Sequence, residues 1–254
     1  MGMTNRKADR KADSRAHKKA DRKLTLQRFL TLLLLLPVAV SASAEDAVSE
    51  ATVDEPNPVE QIVAQTSSPH EVVERSTQAL TDFVESARPW AKEDTERYYQ
   101  EIESLLSPVV DFKVFARGVM GTHYKRATPE QRDRFRDSFK WGLVKTYSLA
   151  LTEFNEGEVA VLPREREPDN PKRERVKMEI RTAGGDVFPV VYQLRQSKSG
   201  KWRIYNLVVN GVNMGFTFRS QFASAMKDRR YGGDLDKVID AWATVVEASQ
   251  DSAG

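Results

Sequence analysis

The chain of 254 residues has no cysteine at all and only three histidines, His17, His70 and His123. Without cysteine there is no disulfide framework, no thiolate nucleophile and no lipid-modified cysteine after an export signal, so an exported domain of this sequence must hold together by its core alone. A Ser-His-Asp site in the body of the chain would have to use His70 or His123. His70 falls in the first turn of a helix and is expected to face solvent; His123 sits in "GTHYKRATPEQ", a loop between helices, and reads as a surface or capping residue. G-x-S-x-G, a glycine-rich phosphate loop and H-E-x-x-H are all missing. Carboxylates are plentiful, but they scatter over solvated helix faces and no pair stands out for acid/base work. No catalytic residue and no metal ligand is therefore assigned.

Long apolar runs are also missing, with one exception. Phe29 to Val40 ("FLTLLLLLPVAV") follows a basic region, Met1 to Lys23, and precedes "SASAEDA". Basic region, short apolar core and small residues at Ala42 and Ala44 are the order of a secretory signal, so residues 1–44 are expected to be a signal peptide cleaved after Ala44. The run is short for a bilayer span of ~20 helical residues, which leaves an uncleaved N-terminal anchor as the rival reading.

Removing that segment inverts the charge. Residues 1–44 hold ten Lys or Arg and three Asp or Glu, which leaves 29 basic and 34 acidic residues in the remainder. The formal charge moves from +2 to about −5, so net charge does not support a nucleic-acid-binding face. The charged "PREREPDNPKRER" mixes both signs, and the aromatics lie on core stripes away from it.

What is present is apolar residues at regular spacing. Residues 45–67 are acidic, carry two prolines and no basic residue, and read as a flexible tether. Order is expected from Ser68, an N-cap followed by Pro69 and Glu71. Val73, Leu80, Phe83, Val84 and Ala87 mark a first helix; Tyr98, Ile102, Leu105 and Leu106 a second, from about Asp94 to a stop near Pro108; Phe112, Phe115 and Val119 a short third between Asp111 and Gly121. Thr128, Pro129 and Gln131 then open a long helix whose stripe is Phe135, Phe139, Leu143, Tyr147, Leu151 and Phe154.

After Gly157 the period falls to two. "VAVL", "ERVKMEIRT", "VFPVVYQLRQ" and "WRIYNLVV" make four strands of an antiparallel meander, with "PREREPDNPKRER" as an exposed hairpin loop. In the last strand Trp202, Ile204 and Val208 alternate with Tyr205, Leu207 and Val209, so both faces are apolar. "NGVNMG" is expected to turn the chain, through Gly211 and Gly215, into a helix bearing Phe218, Phe222, Ala225 and Met226. A last helix capped by Asp234 carries Leu235, Val238, Ile239, Trp242 and Val246. The expected fold is α+β, helices, a curved four-stranded antiparallel sheet and then helices, over residues 68–248, with a disordered tail at 249–254. Patterning alone leaves open a filled core or a core opened into a ligand cavity.

Two blocks, "VVDFKVFARGVMGTHYKRATPEQRDRFRDSFKWGLVKTYSLAL" (109–151) and "WRIYNLVVNGVNMGFTFRSQF" (202–222), resemble the MlaC family of periplasmic phospholipid-binding proteins, also called the toluene-tolerance auxiliary family. The anchors are "VMGTHYKRATPEQRDRF" and "YNLVVNGVNM", in the family's order and spacing; the basic extension, the acidic tether and the charged hairpin depart from it. The resemblance implies the opened core, a curved four-stranded antiparallel sheet wrapped by N- and C-terminal helices enclosing an apolar cavity, and a carrier in the periplasm of a Gram-negative bacterium. Such a carrier takes a phospholipid by its acyl chains and passes it between an inner-membrane ABC transporter with an MCE-domain protein and an outer-membrane lipoprotein–porin complex, maintaining outer-membrane lipid asymmetry. It implies no catalytic residue, no metal and no cofactor beyond the lipid cargo, and no nucleic acid.

The lipid-contacting wall expected from the stripes uses Phe115, Val119, Phe139, Leu143 and Tyr147 from the helices. The strands contribute Met178, Ile180, Val190, Tyr192, Leu194, Ile204, Leu207 and Val209, with Val212, Met214 and Phe222 at the far end. The competing class is a periplasmic adaptor with a filled core and no lipid; a lipase-like enzyme stands third.

Overall fold

The computed structural model describes residues 57–66, 68–152, 157–182 and 185–242. The expected signal segment 1–44, the acidic residues 45–56, the tail 249–254, Phe154 and Val246 lie outside the described residues.

Side-chain oxygens start the helices. Asn57 Oδ1 accepts the Val59 N–H at the head of α1 (Pro58–Gln65). Ser68, Asp94 and Asp111 cap α2 (Pro69–Ala87), α3 (Thr95–Leu106) and α4 (Phe112–Met120) in the same way. A 3₁₀ turn, Gly121–Lys125, then leads to α5 (Pro129–Leu151), where Thr128 and Gln131 exchange both bonds of a capping box. Asn213 caps α6 (Met214–Ala225), and Asp234 Oδ1 accepts two first-turn N–H groups of α7, residues 235–242. In each case an acceptor satisfies a backbone donor that the helix itself leaves unpaired.

The first helix is a correction. Residues 58–65 belong to the stretch expected to be a flexible tether, yet they form α1 and bury Val59, Ile62 and Val63. Val59 and Val63 pack with Val72, Val73 and Leu105, and Asn57 Nδ2 donates to the Ser104 carbonyl. Three aliphatic residues at i, i+3 and i+4 behind an Asn-Pro cap outweigh the polar composition around them.

The sheet has five strands rather than the four expected. The order is β1 (Glu158–Val161), β2 (Arg173–Arg181), β3 (Val187–Gln196), β4 (Trp202–Val209) and β5 (Val212–Asn213), every neighbour antiparallel. Asn210 and Gly211 join the last two with φ of 48° and 82°, the double positive φ of a two-residue hairpin turn. Gly215 has a different reason to be glycine: a Cβ there would meet Asn206 Oδ1 at 2.6 Å. That oxygen accepts the Gly215 N–H at 2.8 Å, while Asn206 Nδ2 donates to Asn213 Oδ1 at 3.0 Å. The turn into α6 is therefore fixed by a close approach, not by a loose backbone.

The pairing of β4 resolves the two-faced strand. Leu194 opposes Ile204 but Gln193 opposes Asn206, so Tyr205 is an extra residue and the parity of β4 flips there. Cross-strand partners share a face, which places Trp202, Ile204, Leu207 and Val209 together, with Asn206 and Val208 on the other side. The simple alternation that put Val208 with Ile204 is overturned by one bulge. The opposite edge of β4 is split as well: Ile204 exchanges backbone bonds with Val109 and Asp111, at 2.8 and 2.7 Å, while Val208 and Val209 pair with β5. Asp111 also receives the Arg195 guanidinium at 2.8 Å, tying the cap of α4 to β3.

Helices α2, α4 and α6 approach the strands, whereas α5 rests on α3 and α4. The buried residues fall into three clusters. One joins α4, α5, α6 and α7 around Phe115, Phe135, Phe139 and Phe222; one joins α1 and α2 to the sheet around Val72, Val176, Leu194 and Trp202; one joins α2, α3 and α5 around Tyr98, Ile102 and Val144.

Two glycine substitutions test this arrangement against each other. Gly215→Ala must push Asn206 off its partners and is expected to destabilise the fold by about 1–3 kcal/mol. Gly118→Ala, in α4 with nothing near its Cβ position, is expected to be neutral or to stabilise by up to ~1 kcal/mol. Midpoints of urea unfolding compare the two.

Candidate functional site

The inward face of the sheet is apolar except at one end, where the buried Glu174 stands opposite Leu194 and Gln196 opposite Trp202. Register puts Val159 and Val161 of β1, Val176, Met178 and Ile180 of β2, Phe188, Val190, Tyr192 and Leu194 of β3, and Ile204, Leu207 and Val209 of β4 on one side, continued by Val212 of β5. The bulge at Tyr205 is what lets β4 contribute both of its halves.

Burial on this face runs down a gradient. At the end covered by α1 and the start of α2, Val176, Leu194, Trp202 and Ile204 are buried. Toward the β2–β3 and β4–β5 turns, Ile180, Phe188, Leu207, Val209 and Val212 are only half buried. Opposite them, Leu143 and Tyr147 of α5 are half buried too, although Phe135 and Phe139 on the same stripe are sealed in the core. Helix α2 adds Leu80 and Phe83, half buried, with Thr77 Oγ1 3.9 Å from Met178 Sδ. Helix α5 makes its main contacts with α3 and α4, and Leu143 and Tyr147 pack, with Leu207, Val209 and Val212, against the rim of the helical cluster.

Burial pushes the hydroxyls of Tyr147 and Tyr192 up to about 12, while both residues keep part of their accessible surface. Tyr98, by contrast, is closed in: its hydroxyl, raised mainly by burial, donates to the Ser148 carbonyl at 3.0 Å and joins α3 to α5.

The expected wall residues thus divide into two groups. Leu143, Tyr147, Ile180, Tyr192, Leu207, Val209 and Val212 are half buried. Phe115, Val119, Phe139, Met214 and Phe222 are sealed in the helical cluster, and Met178, Val190, Leu194 and Ile204 are buried on the inward sheet face. Phe188 continues this face beside Ile180 and was absent from the expected wall, as were Leu80, Phe83 and Val161, which are half buried against the sheet and helical clusters. They stood in the sequence as helix and strand positions, with no sign that separated a core-facing residue from a wall residue.

The polar groups are engaged elsewhere. His70 is half buried, and burial lowers its pKa against the opposing pull of Glu174, with Arg164 adding to the lowering. His123 is half buried as well, its ring 5.9 Å from that of Phe222 and its Nδ1 3.0 Å from the Arg126 guanidinium; burial and then Arg126 lower its pKa. The buried Glu174 pairs with Arg164 at 2.7 Å, outside the apolar region's half-open end. Among the described residues no group of three or more His, Asp or Glu is placed to hold a metal ion, and no helix is long and apolar enough to cross a membrane.

The raised tyrosines have a consequence at high pH. A folded-state pKa above the unfolded value of about 10 contributes stability that is intact below pH 10 and is lost as pH rises through 12. Tyr192→Phe removes that titration, so the alkaline loss of stability is expected to shift upward relative to the parent chain, with no change near pH 7. Thermal unfolding followed across pH 7 to 12 checks it.

The chain is similar to several known proteins. The family described as MlaC protein matches residues 74–244. The toluene tolerance protein ttg2D of Pseudomonas putida is 38% identical over 197 residues, 77% of this chain and 88% of that protein. The intermembrane phospholipid transport system binding protein MlaC of Haemophilus influenzae is 25% identical over 151 residues, 58% of this chain and 70% of its own length. The structure of a phospholipid-binding protein from Ralstonia solanacearum, in complex with a phospholipid, has a TM-score of 0.60 and 23% identity, covering 68% of this chain and 96% of that one; the likeness is one of fold. With the family match spanning the helices, the bulged sheet and the closing helix, and a 38% identical relative aligned over most of both chains, this chain belongs to the MlaC family.

Proposed function

We propose that the chain is a periplasmic phospholipid carrier, which holds its cargo by the acyl chains and moves it between inner- and outer-membrane complexes. The observation that carries the reading is the apolar inward face of the sheet, which stays only half buried toward the β2–β3 and β4–β5 turns. Relatives named for phospholipid transport and phospholipid binding support it.

The physics of the cargo makes a matching demand. Two acyl chains of roughly thirty methylenes, at about 0.8 kcal/mol each, represent some 24 kcal/mol of unfavourable exposure to water. A lipid crossing an aqueous compartment must therefore be enclosed by apolar side chains. Strands supply one wall and α2 and α5 the other, while the gradient of burial leaves an opening at the β2–β3 and β4–β5 turns, where tails would enter and a polar head would stay wet. No step of this work needs a catalytic group, a metal or a nucleotide. Loading and release then depend on partners that offer an equally dry path: in this reading an inner-membrane ABC transporter with an MCE-domain protein, and an outer-membrane lipoprotein–porin complex. Cleavage after Ala44 would release the domain into the periplasm.

Mild organic extraction followed by mass spectrometry tests the reading directly. About one phospholipid per chain is expected from gently purified protein; clean extracts would identify a filled-core adaptor, and lysophospholipid accumulating on incubation would point to hydrolysis. Leu143→Glu and Val209→Asp each place a charge on the half-open wall. Both are expected to fold and to lose most of the bound lipid, and variants that keep a full complement would show that the wall lies elsewhere.

A further inference from the structure

Several cations of this chain are neutralised by neighbours. Arg75, Arg134, Arg136, Arg166, Arg181, Arg195 and Arg230 each meet a carboxylate within 3.4 Å. Among the cations without such a partner, one group is gathered on a single turn. Around the 3₁₀ turn Gly121–Lys125, the side chains of Arg117, Lys125, Arg126, Arg132 and Arg219 gather with no ion pair to any carboxylate among the described residues.

Their placement is specific. Arg132 and Arg117 lie over the Tyr124 ring, at 4.5 and 5.4 Å from its centre, and Arg132 Nε donates to the Tyr124 carbonyl at 2.9 Å. Arg126 is held at His123. Arg219, on the exposed face of α6, lies over Gly121 so closely that a Cβ there would stand 2.8 Å from its Nε; the glycine makes room for the guanidinium. The acidic residues nearest in sequence are engaged elsewhere: Asp133 and Asp137 with Arg136, Asp228 with Arg230, and Glu130 in the first turn of α5. Protein net charge does not explain the cluster, because the chain beyond residue 44 is acidic overall. One helical turn from Arg219, on the same exposed side of α6, Phe216 is 70% exposed. Its helix starts at the β4–β5 turn, where the half-open apolar region ends.

We propose that this surface, from Phe216 through Arg219 to Arg117 and Arg126, is a docking face for a protein partner that presents an acidic surface. The composition favours a protein over a bilayer: four arginines to one lysine, with Tyr and Phe, is the make-up of protein interfaces, in which Lys is depleted. The unpaired charges supply steering and register, and Phe216 supplies an apolar anchor beside the opening. The inference rests on the carrier reading for the expectation of a partner, and adds where and by what chemistry it binds.

The test uses the full-length exported chain in cells, with photo-crosslinking benzoylphenylalanine in place of Phe216 and, as a remote control, of Val187. Crosslinked sites are mapped by mass spectrometry with and without Arg126→Glu and Arg219→Glu, and phospholipid is extracted from each variant. Crosslinks from position 216 are expected to reach one protein, at a site flanked by Asp and Glu, and to fall about tenfold on charge reversal while the bound lipid is retained. Crosslinks only to lipid, crosslinks back into residues 45–56 of the same chain, crosslinks indifferent to charge reversal, or none beyond the Val187 control would each overturn the docking face. Empty extracts alongside intact, charge-dependent crosslinks would sink the carrier reading and leave the face standing.

Discussion

Everything in the candidate site depends on the extra residue at Tyr205. An antiparallel strand keeps strict alternation, so β4 without a bulge would turn either Trp202 and Ile204 or Leu207 and Val209 to the inside, never all four. With it, the first half of β4 seals the sheet against α1 and α2, and the second half opens onto the half-buried region facing α5. The same residue marks where the far edge of β4 changes neighbour, from Val109–Asp111 to β5. Bulges increase local twist, which suits a sheet that must curve around a ligand-sized space.

Much of this architecture was legible in the sequence because it is carried by local chemistry. Caps at Ser68, Asp94, Asp111, Thr128 and Asp234, and the switch of period after Gly157, place the helices and four of the strands correctly. What escaped was set by pairing. A bulge leaves no compositional mark, so β4 read as apolar on both faces. The two residues of β5 are too few to show alternation, although Asn210-Gly211 is the strongest short hairpin signal a sequence offers. Helix α1 was hidden by the acidic, proline-bearing stretch that contains it.

The division between filled core and open wall is a finer matter still. Phe139 and Leu143 stand one turn apart on a single stripe, yet the first is sealed and the second is not. Periodicity gives direction and says nothing of what lies opposite. Phe139 is sealed among Phe115, Phe135 and Phe218, while Leu143 sits at the rim of that cluster.

The docking of α1 also sets a length. With residues 58–65 folded onto α2 and α3, thirteen residues, 45–57, separate Ala44 from α1. Thirteen residues, fully extended, reach no more than about 45 Å. A chain that kept its leader as an anchor would hold the domain on a short leash over one membrane. Freedom to visit a second membrane would then belong entirely to the peptide bond after Ala44, and α1 makes that single cleavage the difference between a local and a travelling molecule.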